Sequence, residues 1–560
     1  MSRQLPPNDL VAVRGRLPRM SRLLTITAAV ALMVAACASD DSTPKESPPV
    51  STSTPTAHET TAASPSPEAP EPLAWGPTTS EYEEAESIVA EMSVEQQAGQ
   101  VIVANYSGLE PPTELIAELG LGGVIVMGDN VESPDQLRRT AEAVQSADDR
   151  GYPLIVSVDQ EGGRVARVRE PATEFPSYMT FGAARSADLA TEVARASGQE
   201  LRAMGFTMVF APDADVTTGA DDPTIGSRSA ASNPELVSDL VAASLEGYSR
   251  AGIVPVVKHF PGHGSVPADS HEELPVQTAS LEELQDRDFI PFREAVEAGI
   301  PVVMVGHIEV EAVDPGTPSS LSSDVVGLLR DELGFDGLIV TDAMDMGAIT
   351  EAYGPAEAAV RALEAGIDVV LMPADVRAAH AAIVEAVSDG RLDTDRLAAA
   401  ATRGVALMLH QQKADEAPGP DAVGSHGELS YDASLAGMTI AAGQCEGPYV
   451  SDSIEVVGGT ELDRARLTAA AEEAGLSVGS GDVVRLLGGT DPGSGDVVVA
   501  LDTPYALGAS EAPTKIALYG RTPQAFAALV DVLRGNETAH GRLPVDVEGA
   551  EQLGCPESPS

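Results

Sequence analysis

The chain has 560 residues, 43% hydrophobic and 21% charged, which supplies a packed core and, at roughly 150 residues per domain, room for two to four domains. Aspartate and glutamate number 86 against 34 lysines and arginines, a formal charge of -52; a surface of that sign repels a phosphate backbone and excludes nucleic acid as a partner. The three cysteines, Cys37, Cys445 and Cys555, form no CxxC pair, so neither a thiolate zinc ribbon nor an iron–sulfur cluster organises the fold.

Arg14, Arg16, Arg19 and Arg22 precede an uncharged run from Leu23 to Ala36, short for a bilayer span and suited to the core of an export signal. The run ends in Val34-Ala35-Ala36-Cys37, which resembles the lipobox of bacterial lipoproteins. Residues 1–37 then read as a signal peptide with Cys37 as the lipidated residue, and the protein as exported and anchored through lipid to the outer face of the cell membrane. An ordinary small-residue cleavage site is the alternative. Residues 38–79 are dominated by Ser, Thr, Pro, Ala and Glu, with almost no large apolar side chains, the composition of a flexible tether. Export permits disulfides, and Cys445 and Cys555 are the candidates for a bridge.

From residue 80 to 412, short apolar runs alternate with amphipathic stretches. The strand-like runs are 101–103, 124–126, 154–156, 208–210, 254–257, 302–305, 338–340 and 369–371, most of them continuously apolar, as parallel strands covered on both faces are. The intervening stretches 190–204, 235–250 and 281–298 have helical periodicity. This pattern predicts a (β/α)8 TIM-type barrel, with a doubly wound open sheet as the alternative because periodicity does not report closure. Polar residues follow the strand runs: Asp159, Asp213 and Asp215, Lys258 and His259, His307, then Asp342. The C-terminal ends of barrel strands are where such folds assemble chemistry. Singly, each aspartate could cap the next helix.

A polar linker over 413–434 leads to a smaller α/β sandwich-like C-terminal domain, 435–548, with strands near 497–501 and 515–519 and a helix over 523–534, followed by a tail, 549–560. Gly475-Leu476-Ser477-Val478-Gly479 matches the pattern of a hydrolase nucleophile elbow. A helical stretch precedes it where a strand is required, so Gly475 reads as a helix C-cap.

The densest chemical signal is Lys258-His259-Phe260-Pro261-Gly262-His263-Gly264 followed by Asp269-Ser270-His271, which holds three of the nine histidines. Asp269 lies two residues before His271, a spacing at which a carboxylate can orient an imidazole for proton transfer near neutral pH. Asp342, in Val340-Thr341-Asp342-Ala343-Met344-Asp345-Met346, ends the seventh strand run. A carboxylate fixed there can attack an electrophilic carbon while a remote acid protonates the leaving group.

These segments, with Val158-Asp159-Gln160-Glu161-Gly162-Gly163-Arg164 upstream and Gly541-Arg542-Leu543-Pro544-Val545 near the end, resemble the glycoside hydrolase family 3 β-N-acetylglucosaminidases over roughly 80–548. The resemblance implies a retaining exo-β-N-acetylglucosaminidase acting on peptidoglycan fragments or related amino-sugar glycans. Asp342 would be the nucleophile, His271 the acid/base and Asp269 its partner. Asp159, Arg167, Arg228, Lys258 and His259 would bind the sugar, Asp159 accepting from its hydroxyls and the cations and His259 donating to its oxygens. Asp345 is the rival nucleophile. The chain departs from the family at Ala230, where a Phe is usual, and a wider pocket or a change in the packing of Arg228 is the expected consequence.

No cofactor and no metal is expected. His259, His263, His271 and Asp269 offer N and O donors suited to zinc, but Lys258 beside them would repel a cation and the Asp342 motif would be left unexplained. Phosphorolysis of the same glycosyl-enzyme, and a catalytically idle wall-glycan-binding lipoprotein, are the other readings. No motif sets the oligomeric state, and a monomer is the default.

Overall fold

The computed structural model describes residues 71–222, 224–270 and 273–555. Cys37, the rest of 1–70 and His271 lie outside the described residues, so the expectations placed on them are not addressed by the fold. Residues from Glu68 onward make up one compact unit. No helix among the described residues is long and apolar enough to cross a membrane.

Eight parallel strands form the first sheet: β1 Ile102–Ala104, β2 Gly123–Val126, β3 Ile155–Val158, β4 Met208–Val209, β5 Val254–Phe260, β6 Val302–Val305, β7 Leu338–Thr341 and β8 Val370–Leu371. Each pairs with its neighbour in sequence, β1 also pairs with β8, and a parallel bridge between Val340 and Val369 brings β7 to β8. The strands therefore close into a TIM-like barrel rather than an open sheet. All eight sequence runs are strands, and β1, β2, β3, β6 and β7 are buried at every position, which is why their sequences do not alternate.

The helices between them carry their own start and stop signals. Pro234–Ala251 begins with the Asn233 side chain accepting from the Leu236 N–H and has proline in its first turn; it ends at Gly252 with φ +73°. Ala187–Ala203 packs against it. The expected helix over 281–298 is broken into Leu281–Asp286 and Phe289–Glu297. At the break Asp288 is buried and its carboxylate accepts from Ser265 Oγ at 2.9 Å and from Arg287 Nε at 2.9 Å. A continuous helix would not turn that side chain under the histidine loop.

Residues 71–78, which composition groups with the tether, belong to the folded body: Leu73 N–H donates to Pro77 O, and Trp75 is 3% exposed. They sit at the end of the barrel where strands begin, and Trp75 and Gly76 line a cavity of about 390 Å³ there with Val254, Pro255 and Pro301.

The second sheet has six strands: β9 Thr439–Ala442, β10 Ser453–Gly458, β11 Ser477–Val478, β12 Asp482–Leu487, β13 Val497–Ala500 and β14 Thr514–Ala517. Its order is β9-β14-β13-β12-β10-β11, with β9 antiparallel to β14 and the others parallel. Helices Gly427–Gly437, Glu461–Glu473 and Pro523–Arg534 pack together, and apolar residues of the last two form one core with Ile440, Val484, Val497 and Ile516. The other face packs Ala441, Val498, Ala500 and Ala517 against Met179 and Ala183 of the barrel body, making a continuous seam. The helix Gly427–Gly437 runs through the stretch read as linker, and residues 549–555 fold back so that Cys555 bonds Cys445, with Cα atoms 5.5 Å apart. Gly475, at φ +78°, follows the helix Glu461–Glu473 and precedes β11, so the Gly475–Gly479 segment is a helix exit and has no elbow geometry.

Candidate active site

The barrel mouth is built from strand ends. Side chains alternate along a strand, so consecutive Lys258 and His259 should face opposite ways. The pairing of β5 with β6 shifts register between Val257 and Phe260, and this irregularity lets both residues reach the same cavity. That cavity, about 250 Å³, is lined by Asp159, Glu161, Arg167, Arg228, Lys258, His259, Asp342 and Asp345, with an apolar wall of Ile125, Met127, Met304, Met346, Leu371 and Met372. All five residues expected to hold the sugar line it.

Glu161 and Lys258 are the buried centre of the charged group. Lys258 Nζ lies 2.8 Å from Asp159 Oδ1 and 2.6 Å from Glu161 Oε1. Arg228 donates through Nε to Glu161 Oε2 at 2.8 Å and through Nη2 to Oε1 at 2.9 Å, a bidentate pair of the kind that fixes a guanidinium in one plane. Arg167 Nη2 is 3.6 Å from Asp159 Oδ2. Burial alone would raise the Glu161 pKa, but Arg228 and Lys258 outweigh it and hold the carboxyl at about 2. Burial works to lower both cations, but Asp159 and Glu161 raise Lys258, and Glu161 and Asp213 raise Arg228, so both remain charged.

His259 has a defined proton arrangement. Its Nδ1 is 2.7 Å from Asp215 Oδ2, and its Nε2 is 3.2 Å from Arg228 Nη2. A carboxylate only accepts, so Nδ1–H donates to Asp215. In this arrangement the ring of His259 links Asp215 to Arg228 and also lines the cavity. Asp215 also accepts the backbone N–H of His263 at 2.5 Å, so one buried carboxylate ties the start of the histidine loop to the ring. Burial and the charge on Asp215 push Asp213 well above the ordinary carboxyl range.

Asp213, Asp215 and His259 are the one group among the described residues whose ligand atoms lie close enough to share a cation. Arg228, 3.4 Å from Asp213 Oδ2, already supplies positive charge there, and the His259 Nδ1–H faces Asp215, so this set is compensated without an ion. His263 does not turn toward it: its Nε2 meets Ser270 Oγ at 2.9 Å, and burial, together with His259, lowers its pKa to about 4, leaving it neutral.

Asp342 follows β7 and faces the cavity. Its Oδ1 accepts the Ala343 N–H at 2.7 Å, and no cation lies within ion-pair distance of it among the described residues. Burial works to raise its pKa; His259, His307, the Ala343 N–H and Lys258 outweigh that and hold it at about 2, so it is an anion at any ordinary pH. His307, buried, meets Ser320 Oγ with Nδ1 at 2.7 Å and donates from Nε2 to Ala343 O at 3.1 Å, bracing the peptide that binds Asp342. Asp345 also lines the cavity but is exposed, with Asn105 Nδ2 3.3 Å from its Oδ2. Asp269 is half-buried beside Ser270; its expected partner His271 lies outside the described residues. Gly262, at φ +126°, is pressed so close to Asp288 that a Cβ would lie 2.7 Å from the aspartate Cβ, which accounts for glycine at that point of the loop. Ala230 is buried against Gly182, with Pro544 of the second domain also nearby, and is not among the residues that line the cavity.

A parallel barrel with paired charges and a half-buried carboxylate at its C-terminal rim suits a glycoside-cleaving enzyme. The family model described as the glycosyl hydrolase family 3 N terminal domain matches residues 93–407, and the chain belongs to that family. Among curated relatives, Beta-hexosaminidase LpqI of Mycobacterium tuberculosis is 34% identical over 357 residues, 62% of this chain and 87% of the relative. Beta-hexosaminidase A of Pseudoalteromonas piscicida is 35% identical over 364 residues, but the match spans only 61% of that longer protein. Among solved structures, a glycoside hydrolase family 3 beta-N-acetylglucosaminidase from Paenibacillus sp. str. FPU-7 superposes with a TM-score of 0.73 at 31% identity, over 82% of this chain and 99% of that one.

Sequence reading missed Glu161 as the hub of the charged group and left Asp215 without a role. The signal was present: Asp159 and Glu161, and Asp213 and Asp215, are each two residues apart, the spacing that places side chains on one side of an extended chain.

Proposed function

We propose that the protein is a retaining exo-β-N-acetylglucosaminidase that removes terminal β-linked N-acetylglucosamine from peptidoglycan fragments or related glycans. The observation that carries the reading is Asp342, a half-buried anion with one backbone hydrogen bond, sharing a cavity with the Asp159–Lys258–Glu161–Arg228 group. An Asp342 oxygen attacks the anomeric carbon as the glycosidic C–O bond breaks, and the leaving oxygen takes a proton from His271, the acid/base that family resemblance assigns. Water then attacks the same carbon, His271 recovers a proton from it, and Asp342 is released. Asp159, Lys258 and Arg228 orient the ring, and the apolar wall gives its less polar face and acetamido methyl a place to rest.

The test is trapping with a 2-acetamido-2-deoxy fluoro-sugar and mapping the label by mass spectrometry. Label on the peptide bearing Asp342 supports the reading, and label on Asp345 moves the nucleophile. Turnover of a chromogenic β-N-acetylglucosaminide in preference to the β-glucoside supports the amino-sugar assignment, and turnover of neither favours a binding protein. A product that requires phosphate would make the enzyme a phosphorylase. Lipidation at Cys37 and attachment to the outer membrane face belong to the same proposal; the Cys445–Cys555 disulfide suits the oxidising side of a membrane. Loss of labelled fatty acid from the Cys37→Ala variant tests it.

A further inference from the structure

We propose that the second domain positions the sugar-binding arginine, with Thr503 and Tyr505 as its positioning residues. The inference rests on the reading of Arg228 as part of the sugar clamp and assigns the C-terminal domain a part in that site.

Arg228 stands at the end of a long irregular segment after β4, in the short 3-10 turn Gly226–Arg228. Without strand or helix bonds to hold it, this segment is folded around a buried aspartate. Asp222 accepts the N–H groups of Thr224 at 3.1 Å, Ile225 at 2.8 Å and Gly226 at 3.0 Å, and the Thr217 hydroxyl at 3.0 Å. The segment's other side is tied to the histidine loop by Thr218 N–H donating to Gly264 O at 2.9 Å. A loop organised about one carboxylate still needs a wall behind it, and the residues after β13 provide that wall. A Cβ on Gly226 would lie 3.4 Å from the Thr503 methyl, within van der Waals contact, so the turn bearing Arg228 stands about one methyl group from the second domain. Tyr505 faces Thr217 and Asp222, and its buried hydroxyl closes no hydrogen bond of ordinary length, so its contribution is packing.

The wall itself is fixed. Tyr519 O accepts both the N–H of Ser177 at 3.1 Å and its hydroxyl at 2.5 Å, Arg466 pairs with Glu174 at 2.5 Å, and Ser232 N–H, four residues past Arg228, donates to Pro544 O at 3.2 Å. Displacement of Arg228 by a fraction of an ångström would misalign its bidentate bond to Glu161 and its contact with His259 together, since one guanidinium makes both.

The experiment is a double-mutant cycle on hydrolysis of a chromogenic β-N-acetylglucosaminide, with melting temperatures recorded for each variant. Tyr505→Ala is expected to lower kcat/KM by about tenfold to a hundredfold in the otherwise intact enzyme. In an Arg228→Ala background the same change is expected to cost less than about twofold, because the group it positions is gone. Tyr505→Phe, which keeps the ring, is expected to restore near-full activity. If Tyr505→Ala does not fold, Thr503→Ala enters the same cycle with the same criterion. Independent, multiplying losses, or a silent Tyr505→Ala beside a costly Arg228→Ala, would overturn this inference alone. A silent Arg228→Ala would overturn the clamp reading and this inference with it.

Discussion

Asp342, half-buried at the barrel mouth, and Asp368, fully buried at the other end of the same stretch of barrel wall, are treated in opposite ways. Asp368, just before β8, is saturated: Arg330 at 2.6 Å, Arg396 at 3.0 Å and Arg403 at 3.3 Å surround it, and it accepts the Ile339 N–H at 3.0 Å. Asp342 accepts one backbone N–H, and its charge is stabilised by groups that stand off from it. A carboxylate whose lone pairs are all engaged holds helices to a strand; one left with an open oxygen beside a cavity is free to react. The contrast in partners runs with the contrast in burial, Asp368 being enclosed and Asp342 half-buried at the cavity.

That contrast breaks most sharply at Asp342. Asp342→Ala is expected to lower kcat per folded molecule by about 10⁴-fold or more, measured on an aryl β-N-acetylglucosaminide. Near-full activity would put the nucleophile elsewhere. Asp368→Ala should invert the pattern: removing the partner of three arginines is expected to cost about 3–5 kcal/mol of stability in urea titrations, with kcat per folded molecule retained. Replacing Cys445 by Ser tests a third region, and opening the loop it closes should cost about 2–5 kcal/mol without altering KM.

The smallest effect sharpens the electrostatic side. Asp342 is depressed to about 2 in the folded protein, so its ionisation contributes stability above the ordinary carboxyl pKa, and this is lost as pH falls through the folded value. The stability advantage of wild type over Asp342→Asn should therefore shrink by about 2 kcal/mol between pH 4 and pH 2. A difference that stays constant over that window would mean the carboxyl is not held low.

Much of the barrel was legible because burial on both faces leaves long apolar runs at each strand and polar residues just beyond. Asp342 and Lys258 stood out at the mouth for the same reason, whereas Arg228, well past the end of β4, came only with the family resemblance. What escaped depends on contacts distant in sequence. Glu161 matters through Lys258 and Arg228, which come from other strand ends. The break at Asp288 is marked by Pro291, which has no N–H to offer the Arg287 carbonyl in a continuous helix, while the burial of Asp288 under Ser265 and Gly262 depends on contacts distant in sequence. In the second domain β10 is partly exposed along most of its length and β11 has only two residues, so neither stands out as an apolar run.

The irregularity in β5 has one more consequence. Lys258 reaches back to the loop after β3, while His259 reaches the residues after β4, so a single slipped step on one strand laces three neighbouring rims into a brace. Restoring regular alternation there would turn one of the two away from the opening and cut that lacing. Amide exchange in the segments around Glu161 and Asp215 would then quicken together, and a pocket shaped for one ring would become a slack one that grips many sugars poorly.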